Sequence, residues 1–174
     1  MKNYDAIVLG AGGAVGSAAM CHLAQRGVRV LGLDRFVPPH DQGSSHGQTR
    51  VIRQAYFEHA DYTPLLQESY RLWEQLESRV GNQLYHEVGV LQVGPADGKV
   101  VPGVLHAAKE HALKVDRLTP AAIQQRWPGF QVPDDFVGVF EQQAGYLMVE
   151  KCVKAQVEVA QLEGANGSLS LASE

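Results

Sequence analysis

Two glycines and an aspartate near the amino end of the chain have the types and spacing of a dinucleotide-binding site. An apolar run at residues 6–9 leads into Gly10 and Gly12, and a second apolar run ends at Asp34. Gly10 permits a tight turn from strand to helix. Gly12 lets the main chain approach a pyrophosphate, which the amino end of the following helix attracts. A carboxylate at Asp34 can accept hydrogen bonds from both ribose hydroxyls but repels a 2′-phosphate. These residues therefore predict binding of NAD or FAD rather than NADP.

The third glycine departs from the usual G-x-G-x-x-G spacing. Val15 stands where that glycine is expected, and Gly16 follows one place later. We interpret Ala14 as one extra loop residue, with a helix from Gly16 to an end at Gly27, and Gly16 as the glycine in contact with the strand. One face of this helix is predicted to carry Ala19 and Leu23. Two alternatives stay open: a glycine loop without a ligand, and a fold that is kept while the inserted residue spoils the phosphate cradle.

Two arginines after a flexible loop are candidates for binding a carboxylate. The loop at residues 43–47 is small and polar, and Arg50 and Arg53 flank an apolar pair. A guanidinium presents a planar fork that matches a carboxylate bidentately. The two side chains share a face only if this stretch is helical, because in a strand they point to opposite sides. One arginine can then face the cofactor and the other the substrate, or one can form a structural ion pair.

The composition is typical of a globular protein and excludes several classes of partner. Of the 174 residues 45% are hydrophobic and 20% are charged, and the net charge of −4 gives no electrostatic footprint for nucleic acid or an anionic membrane. Cys21 and Cys152 form no CxxC pair, and the seven histidines show no metal-ligand spacing, so no metal site is predicted. No membrane-spanning stretch or signal peptide is predicted, which leaves the cytoplasm as the expected compartment.

The rest of the chain is predicted to alternate between helices and strands. Thr63 with Pro64 predicts a helix start, and an apolar stripe follows from Leu65. Thr119 with Pro120 predicts another helix start. The other predicted elements are strands at 84–94, 114–118, 136–140 and 145–149 and helices at 104–113 and 150–163. The fold class is therefore α/β, with a Rossmann-like β-α-β unit whose parallel sheet is incomplete, plus part of an α+β domain with antiparallel strands.

The run GSSHGQTRVIR, which begins at Gly43, is specific to one group of enzymes. Together with EVGVLQVG and AGYLMVEKCVKA, it resembles the monomeric sarcosine oxidase family, which includes N-methyltryptophan oxidase. The resemblance extends to Gly164 and covers the first half or less of a typical member. It implies a flavoprotein that binds FAD and oxidises the C–N bond of a secondary amino acid such as sarcosine. Oxygen is the implied co-substrate and hydrogen peroxide the implied product.

The same resemblance implies roles for individual residues and for segments of the chain. The implied FAD contacts are Gly10, Gly12, Gly13, Gly16, Asp34, Arg35, Ser44, Ser45 and Thr49. The implied catalytic residues are His46 and Arg50, in the stretch along the flavin, and Arg53, which corresponds to the arginine that clamps the substrate carboxylate. Residues 1–82 correspond to the first part of the FAD-binding domain, 83–148 to part of the substrate domain, and 149–174 to a helix returning to the FAD domain and a truncated tail.

Three features depart from the family pattern. Ala14 is extra in the glycine turn, neither Cys21 nor Cys152 matches the cysteine that attaches FAD covalently, and the lysines for oxygen activation and carboxylate binding belong to a later part of family members. We therefore expect an N-terminal fragment that alone binds FAD weakly or not at all and shows no turnover. The alternatives are a non-catalytic nucleotide-binding chain that needs a partner chain, and an NAD-dependent dehydrogenase.

Overall fold

The computed structural model describes residues 3–168. The chain folds into two compact units. Within the described range, unit 1 consists of residues 3–50, 75–84 and 147–168, and unit 2 of Val51–Glu74 and Tyr85–Tyr146. The strands are β1 (Ala6–Leu9), β2 (Val30–Leu33), β3 (Thr49–Ile52), β4 (Tyr85–Glu87), β5 (Val90–Pro95), β6 (Val115–Leu118), β7 (Phe136–Glu141), β8 (Gly145–Met148) and β9 (Asn166–Ser168). The helices are α1 (Ala14–Gln25), α2 (Tyr62–Val80), α3 (Val100–Glu110), α4 (Pro120–Arg126) and α5 (Val149–Leu162). The assignment of segments to cofactor or substrate stays a prediction.

Unit 1 contains a parallel sheet in the order β1, β2, β9. Strands β1 and β2 pair in register from Ala6 opposite Val30 to Leu9 opposite Leu33, and α1 connects them. This arrangement confirms the predicted β-α-β unit. Strand β9 was not predicted, because its Asn-Gly-Ser sequence has no apolar pattern. It lies on the other side of β2, with Leu31 opposite Asn166, because α5 packs on α1 and returns the chain to this edge.

Helix α1 begins two residues earlier than the sequence predicts. Gly13 is its N-cap and Ala14 its first residue, so the interpretation of Ala14 as an extra loop residue is wrong. The N–H of Ser17 donates to the carbonyl oxygen of Gly13 at 2.8 Å, which closes the first helical turn at this point. The predicted end is confirmed, since Gly27 follows the helix with a φ of 76°, in the left-handed region that favours glycine.

The buried face of α1 also differs from the prediction. Ala19 and Leu23 are only half-buried. The buried side chains are Ser17, Met20, Cys21 and Ala24. The Ser17 hydroxyl donates to Oε1 of Gln156 on α5 at 2.7 Å, inside this face. Apolar periodicity did not reveal this buried face, because the face contains the polar side chain of Ser17. That side chain can be buried because its hydroxyl is hydrogen-bonded to Gln156.

Unit 2 contains an antiparallel sheet in the order β5, β7, β6, as the sequence predicts for this part of the chain. The register runs from Val90 opposite Glu141 to Pro95 opposite Phe136. Helices α3 and α4 pack on this sheet. The centre of its hydrophobic core consists of Ala55, Val101, Val104 and Val139. Alternating strand residues and one helix face therefore supply the core, as expected for a half-buried antiparallel sheet.

Several predicted boundaries are corrected in unit 2. The predicted strand at 84–94 is two strands, β4 and β5, which are separated at Gly89. Gly89 has a φ of 75°, outside the range of a β-strand, and its N–H donates to the carbonyl oxygen of Ala144. Helix α3 begins at Val100 rather than at residue 104. The predicted cap at Thr119 is confirmed, since its hydroxyl accepts a hydrogen bond from the N–H of Ala122 at 3.2 Å.

The predicted cap at Thr63 is wrong. Helix α2 begins at Tyr62, two residues before the predicted first helical residue Pro64, and Thr63 is fully buried inside its first turn. Its hydroxyl donates to the carbonyl oxygen of Gln54 at 3.2 Å rather than accepting a bond from the helix. Leu65, predicted to lie on the apolar stripe, is 67% exposed. The same helix buries Leu76, so only the later part of the predicted stripe faces a core.

Candidate functional site

The glycine turn between β1 and α1 is shaped by contacts between main-chain atoms. Gly10 has a φ of 78°, and its N–H donates to the carbonyl oxygen of Leu33 at 2.9 Å. A Cβ added at Gly16 would lie 2.0 Å from the carbonyl oxygen of Gly10. Gly16 therefore lets the helix approach the end of β1 closely, as the sequence predicts for the glycine in contact with the strand.

The amino end of α1 presents main-chain donors beside this turn. The first N–H groups of a helix have no partner within it. The N–H of Ala14 donates to the hydroxyl oxygen of Ser45 at 3.0 Å, so an acceptor from the loop at residues 43–47 already lies there. Gly13 makes no side-chain cap. This end of the helix is thus bordered by main chain on one side and, on the other, by the loop at residues 43–47, which we call the serine loop.

Asp34, at the end of β2, is bound to the glycine turn. Its Oδ2 accepts a hydrogen bond from the N–H of Gly12 at 2.7 Å, and its Oδ1 accepts one from the N–H of Phe36 at 3.1 Å. Burial raises the pKa of Asp34, but these two hydrogen bonds and the nearby His40 outweigh it, so the pKa lies below its ordinary value. The carboxylate is therefore ionised at neutral pH and held directly beside the turn.

His40 is a residue of this site that the sequence interpretation missed. Its Nε2 lies 3.2 Å from Oδ1 of Asp34, and the two side chains are only 14% and 8% exposed. A Cβ on Gly12 would lie 2.9 Å from the same Nε2. The available signal was its place shortly after Asp34, but the two prolines before it indicated only a break in regular structure.

A cavity of about 210 Å³ lies between these groups. It is lined by Gly10, Gly12, Gly13, Asp34, His40, Gly43, Ser44 and Ser45. Pockets for complete small molecules usually measure about 300–1,000 Å³, so this cavity has room for part of a dinucleotide. Six of the predicted cofactor residues thus meet at one place in unit 1. Of the other predicted cofactor residues, Gly16 packs behind the turn, and Arg35 and Thr49 are exposed outside the cavity lining.

Two predicted catalytic residues of unit 1 hold the serine loop together. The guanidinium of Arg50 donates to the carbonyl oxygens of Ser44 at 2.8 Å and of His46 at 2.9 Å. Nδ1 of His46 contacts the carbonyl oxygen of Gly43. The N–H of Gly47 donates to the Glu150 carboxylate at 3.0 Å. Glu150 was not predicted; an acid in the first turn of a helix was the available signal.

The third predicted catalytic residue, Arg53, belongs to unit 2. Its guanidinium lies 4.3 Å from the ring centroid of Tyr56 and 3.7 Å from the carboxylate of Glu58. The Arg53 side chain is 19% exposed, and its buried Nε makes no hydrogen bond within the described part of the chain. Because Arg50 lies in β3 and Arg53 directly follows it, the strand alternative for this stretch holds.

The main chain after Arg53 is fixed by a buried acid that sequence reasoning also missed. Glu141 is 2% exposed, and its two carboxylate oxygens accept hydrogen bonds from the N–H groups of Gln54 at 2.7 Å and Ala55 at 3.0 Å. The sequence predicts strands at residues 136–140 and 145–149, so Glu141 falls in the segment between them and has no predicted role. Its position at the end of β7, next to a row of buried residues, was the only local signal.

Residues 3–168 contain no group of three or more His, Cys, Asp or Glu side chains that could hold a metal ion. Within the same range, no helix has the length and apolar character needed to cross a bilayer.

Comparison with a family model described as FAD dependent oxidoreductase gives a match over residues 5–166. The matched range contains the glycine turn, Asp34, the serine loop and Arg53. It therefore covers the whole candidate site.

Individual relatives agree with this match. The chain is 42% identical over 165 residues to monomeric sarcosine oxidase from Arthrobacter sp., which covers 94% of this chain and 42% of that protein. It is 41% identical over 161 residues to N-methyl-L-tryptophan oxidase from Citrobacter koseri, covering 92% and 43%. The chain thus spans less than half the length of these relatives.

Solved structures resemble the chain over almost its full length. NikD, an unusual amino acid oxidase essential for nikkomycin biosynthesis, matches with a TM-score of 0.83 and 30% identity, covering 96% of this chain and 43% of NikD. L-proline dehydrogenase from P. horikoshii matches with a TM-score of 0.77 at 20% identity and covers 95% and 44%, a likeness of fold alone.

Proposed function

We propose that this chain, which belongs to the FAD-dependent oxidoreductase family, binds FAD through unit 1 and serves the oxidation of a secondary amino acid at its C–N bond. The observation that carries the proposal is the glycine turn with Asp34 at 2.7 Å from the Gly12 N–H, in a region about 42% identical to sarcosine oxidase. For sarcosine, the reaction consumes oxygen and water and yields glycine, formaldehyde and hydrogen peroxide.

The residues of unit 1 fit the adenosine and pyrophosphate part of FAD. Gly16 has no side chain, so α1 can lie close to the end of β1. The start of α1 supplies N–H donors for phosphate oxygens. Asp34 supplies a buried, ionised acceptor for ribose hydroxyls. The cavity of about 210 Å³ has the size of part of this ligand, not of the whole. When bound, FAD supplies the two-electron acceptor for the oxidation, with oxygen as the terminal oxidant.

Arg53 has the chemistry to bind the substrate carboxylate. Its guanidinium is largely buried against Tyr56, and its Nε has an unused hydrogen bond. A buried guanidinium with an unused donor is suited to a planar, bidentate anion such as a carboxylate. Arg50 and His46 act differently, because their polar atoms contact loop carbonyl oxygens. Their proposed role is to hold the serine loop beside the cofactor.

Titration of the purified chain with FAD, NAD and NADP, followed by flavin fluorescence and calorimetry, tests cofactor binding. We expect weak but measurable affinity for FAD and still lower affinity for NADP, because Asp34 repels a 2′-phosphate. Asp34→Asn should weaken FAD binding by about tenfold or more, equivalent to about 1.4 kcal/mol. The matched control Asp61→Asn changes an aspartate that is 82% exposed in unit 2 and should leave the affinity unchanged. Absence of binding by the folded wild-type chain would contradict the proposal.

A second candidate function is nucleotide binding without catalysis by this chain alone. It is favoured by one observation: every residue lining the cavity belongs to unit 1, whereas Arg53 belongs to unit 2. Peroxide release from sarcosine or N-methyl-L-tryptophan, with glycine as the control substrate, separates the two candidates. Substrate-dependent peroxide from the FAD-loaded chain assigns the oxidation to it, and flavin binding without peroxide favours the second candidate.

A further inference from the structure

His40 presents a hydrogen-bond donor to the cavity of unit 1. Its ring packs on Phe36 at a centroid distance of 5.3 Å, and the side chain is 14% exposed. The Nε2 atom is fully buried and lies 3.2 Å from Oδ1 of Asp34, but it makes no hydrogen bond within the described part of the chain. Asp34 is thus an ion-pair partner of Nε2, but the N–H does not have hydrogen-bond alignment to that oxygen, which leaves it available to an acceptor in the cavity.

The hydrogen bond to the other ring nitrogen defines which atom carries the proton. The main-chain N–H of Gln42 donates to Nδ1 of His40 at 3.2 Å. A nitrogen that accepts a hydrogen bond is unprotonated, so the neutral ring carries its proton on Nε2. His40 therefore aims an N–H donor at the space between Asp34 and Gly12.

The side chains that line the cavity offer His40 and the hydroxyl groups of Ser44 and Ser45 as possible donors. Of the eight lining residues, all within the described part of the chain, only His40 has a side-chain nitrogen. The guanidinium of Arg35 lies over the Phe36 ring at 5.5 Å, and that of Arg50 is bound to loop carbonyl oxygens. A phosphate beside Gly12 would therefore face the Asp34 carboxylate with His40 as the one side-chain nitrogen donor between them.

We infer that His40 is a ligand-binding residue whose Nε2–H donates to the phosphate nearest the adenosine of a bound adenine nucleotide. This inference rests on the proposed function and adds a side chain that it does not contain. Asp34, as an acceptor, takes the ribose hydroxyls, whereas the phosphate oxygens accept only and need a donor. The hydrogen bond also offsets the repulsion between the phosphate and Asp34.

Titrations with ADP, AMP and adenosine, followed by NMR of the ¹⁵N-labelled chain, test the inference. His40→Phe keeps the ring on Phe36 but removes the donor, and His40→Gln keeps an N–H donor. We expect His40→Phe to lower the affinity for ADP and AMP by about tenfold and the affinity for adenosine by less than about twofold. His40→Gln should recover most of the lost affinity. The matched control His59→Phe changes a histidine that is 65% exposed in unit 2 and should alter none of the affinities.

The outcomes separate this inference from the proposed function. If the wild-type chain binds none of the three probes, the proposed function fails. If the wild-type chain binds ADP and His40→Phe binds ADP equally well, the role of His40 is overturned. It is also overturned if His40→Phe lowers the affinity for adenosine as strongly as the affinity for ADP. The ring ¹⁵N resonances of wild-type His40 give a test that needs no variant. The Nε2 resonance should shift on addition of ADP or AMP and not of adenosine, and an unmoved resonance contradicts the inference.

Discussion

The glycine turn of unit 1 and the segment after Arg53 in unit 2 both hold groups that face a proposed ligand, but they are held by different forces. In the turn, main chain packs on main chain, with Gly16 against the carbonyl oxygen of Gly10. In unit 2, a side chain holds the main chain, with the buried carboxylate of Glu141 accepting from two consecutive N–H groups. The turn is thus a steric arrangement and the Arg53 segment an electrostatic one.

This difference predicts different sensitivities to substitution. A steric site fails when atoms are added, because packed main chain cannot move aside. A buried carboxylate site fails when its acceptor is removed, because two main-chain donors are then left unsatisfied. Changes that neither add atoms to the turn nor remove a buried acceptor should have small effects on stability.

The largest effect is expected for Gly16→Ala, which adds a side-chain atom to the packed glycine turn. Its Cβ would collide with the Gly10 carbonyl oxygen, so the free energy of unfolding should fall by about 3 kcal/mol or more. Urea denaturation followed by circular dichroism measures the change. The matched control is Gly13→Ala, whose Cβ would lie at an ordinary 3.5 Å from the same oxygen. Equal stability of the two variants would contradict the steric interpretation.

Glu141→Ala removes the buried carboxylate that holds the main chain after Arg53. Loss of the carboxylate leaves the N–H groups of Gln54 and Ala55 without an acceptor, and we expect a loss of about 2–3 kcal/mol in the free energy of unfolding. Glu141→Gln keeps one acceptor oxygen and should lose about half as much. Amide hydrogen exchange at residues 54 and 55 should accelerate in both variants. Glu110→Gln, at a side chain that is 47% exposed, is the control. Unchanged exchange at residues 54 and 55 in the Glu141 variants would argue against an anchoring role for Glu141.

Asp34→Asn tests the side-chain anchor within the mainly steric site. One oxygen still accepts a hydrogen bond, so a loss of about 1–2 kcal/mol near neutral pH is expected. The folded-state pKa of Asp34 lies below 3.8, so its contribution is present above that pH and is lost as the pH falls through the folded-state pKa. The stability gap between wild type and variant should therefore be constant near neutral pH and shrink in acid. A gap that widens in acid would have the wrong sign.

The smallest effect is expected for Ser45→Ala. Its hydroxyl accepts a hydrogen bond from the Ala14 N–H, but this bond is exposed and water can replace it. The free energy of unfolding should change by less than about 0.5 kcal/mol in a urea titration. A loss comparable to that of Glu141→Ala would mean that the turn depends on side-chain acceptors as unit 2 does, and the comparison would not hold.

Much of the fold and part of the site could be predicted from local sequence. The family, the FAD-dependent class and the β-α-β unit are confirmed, because glycine spacing and apolar runs act over short distances. The Thr119 cap is local as well, and it is confirmed. Thr63 has the same Thr-Pro pattern, yet it lies inside α2, where Gln54, a residue outside the helix, supplies an acceptor for its hydroxyl. The functional roles of the predicted site residues stay predictions.

Local sequence was sufficient for the glycine turn, the aspartate at the end of β2 and the apolar patterns of most elements, since these depend on the conformations of neighbouring residues. Only the tertiary structure decided that His40 closes on Gly12, that Glu141 fixes the chain after Arg53, and that the Asn-Gly-Ser segment extends the parallel sheet. The physical reason is the same in each case. A hydrogen bond or packing contact between residues far apart in sequence depends on where folding brings them, and no local pattern encodes that distance.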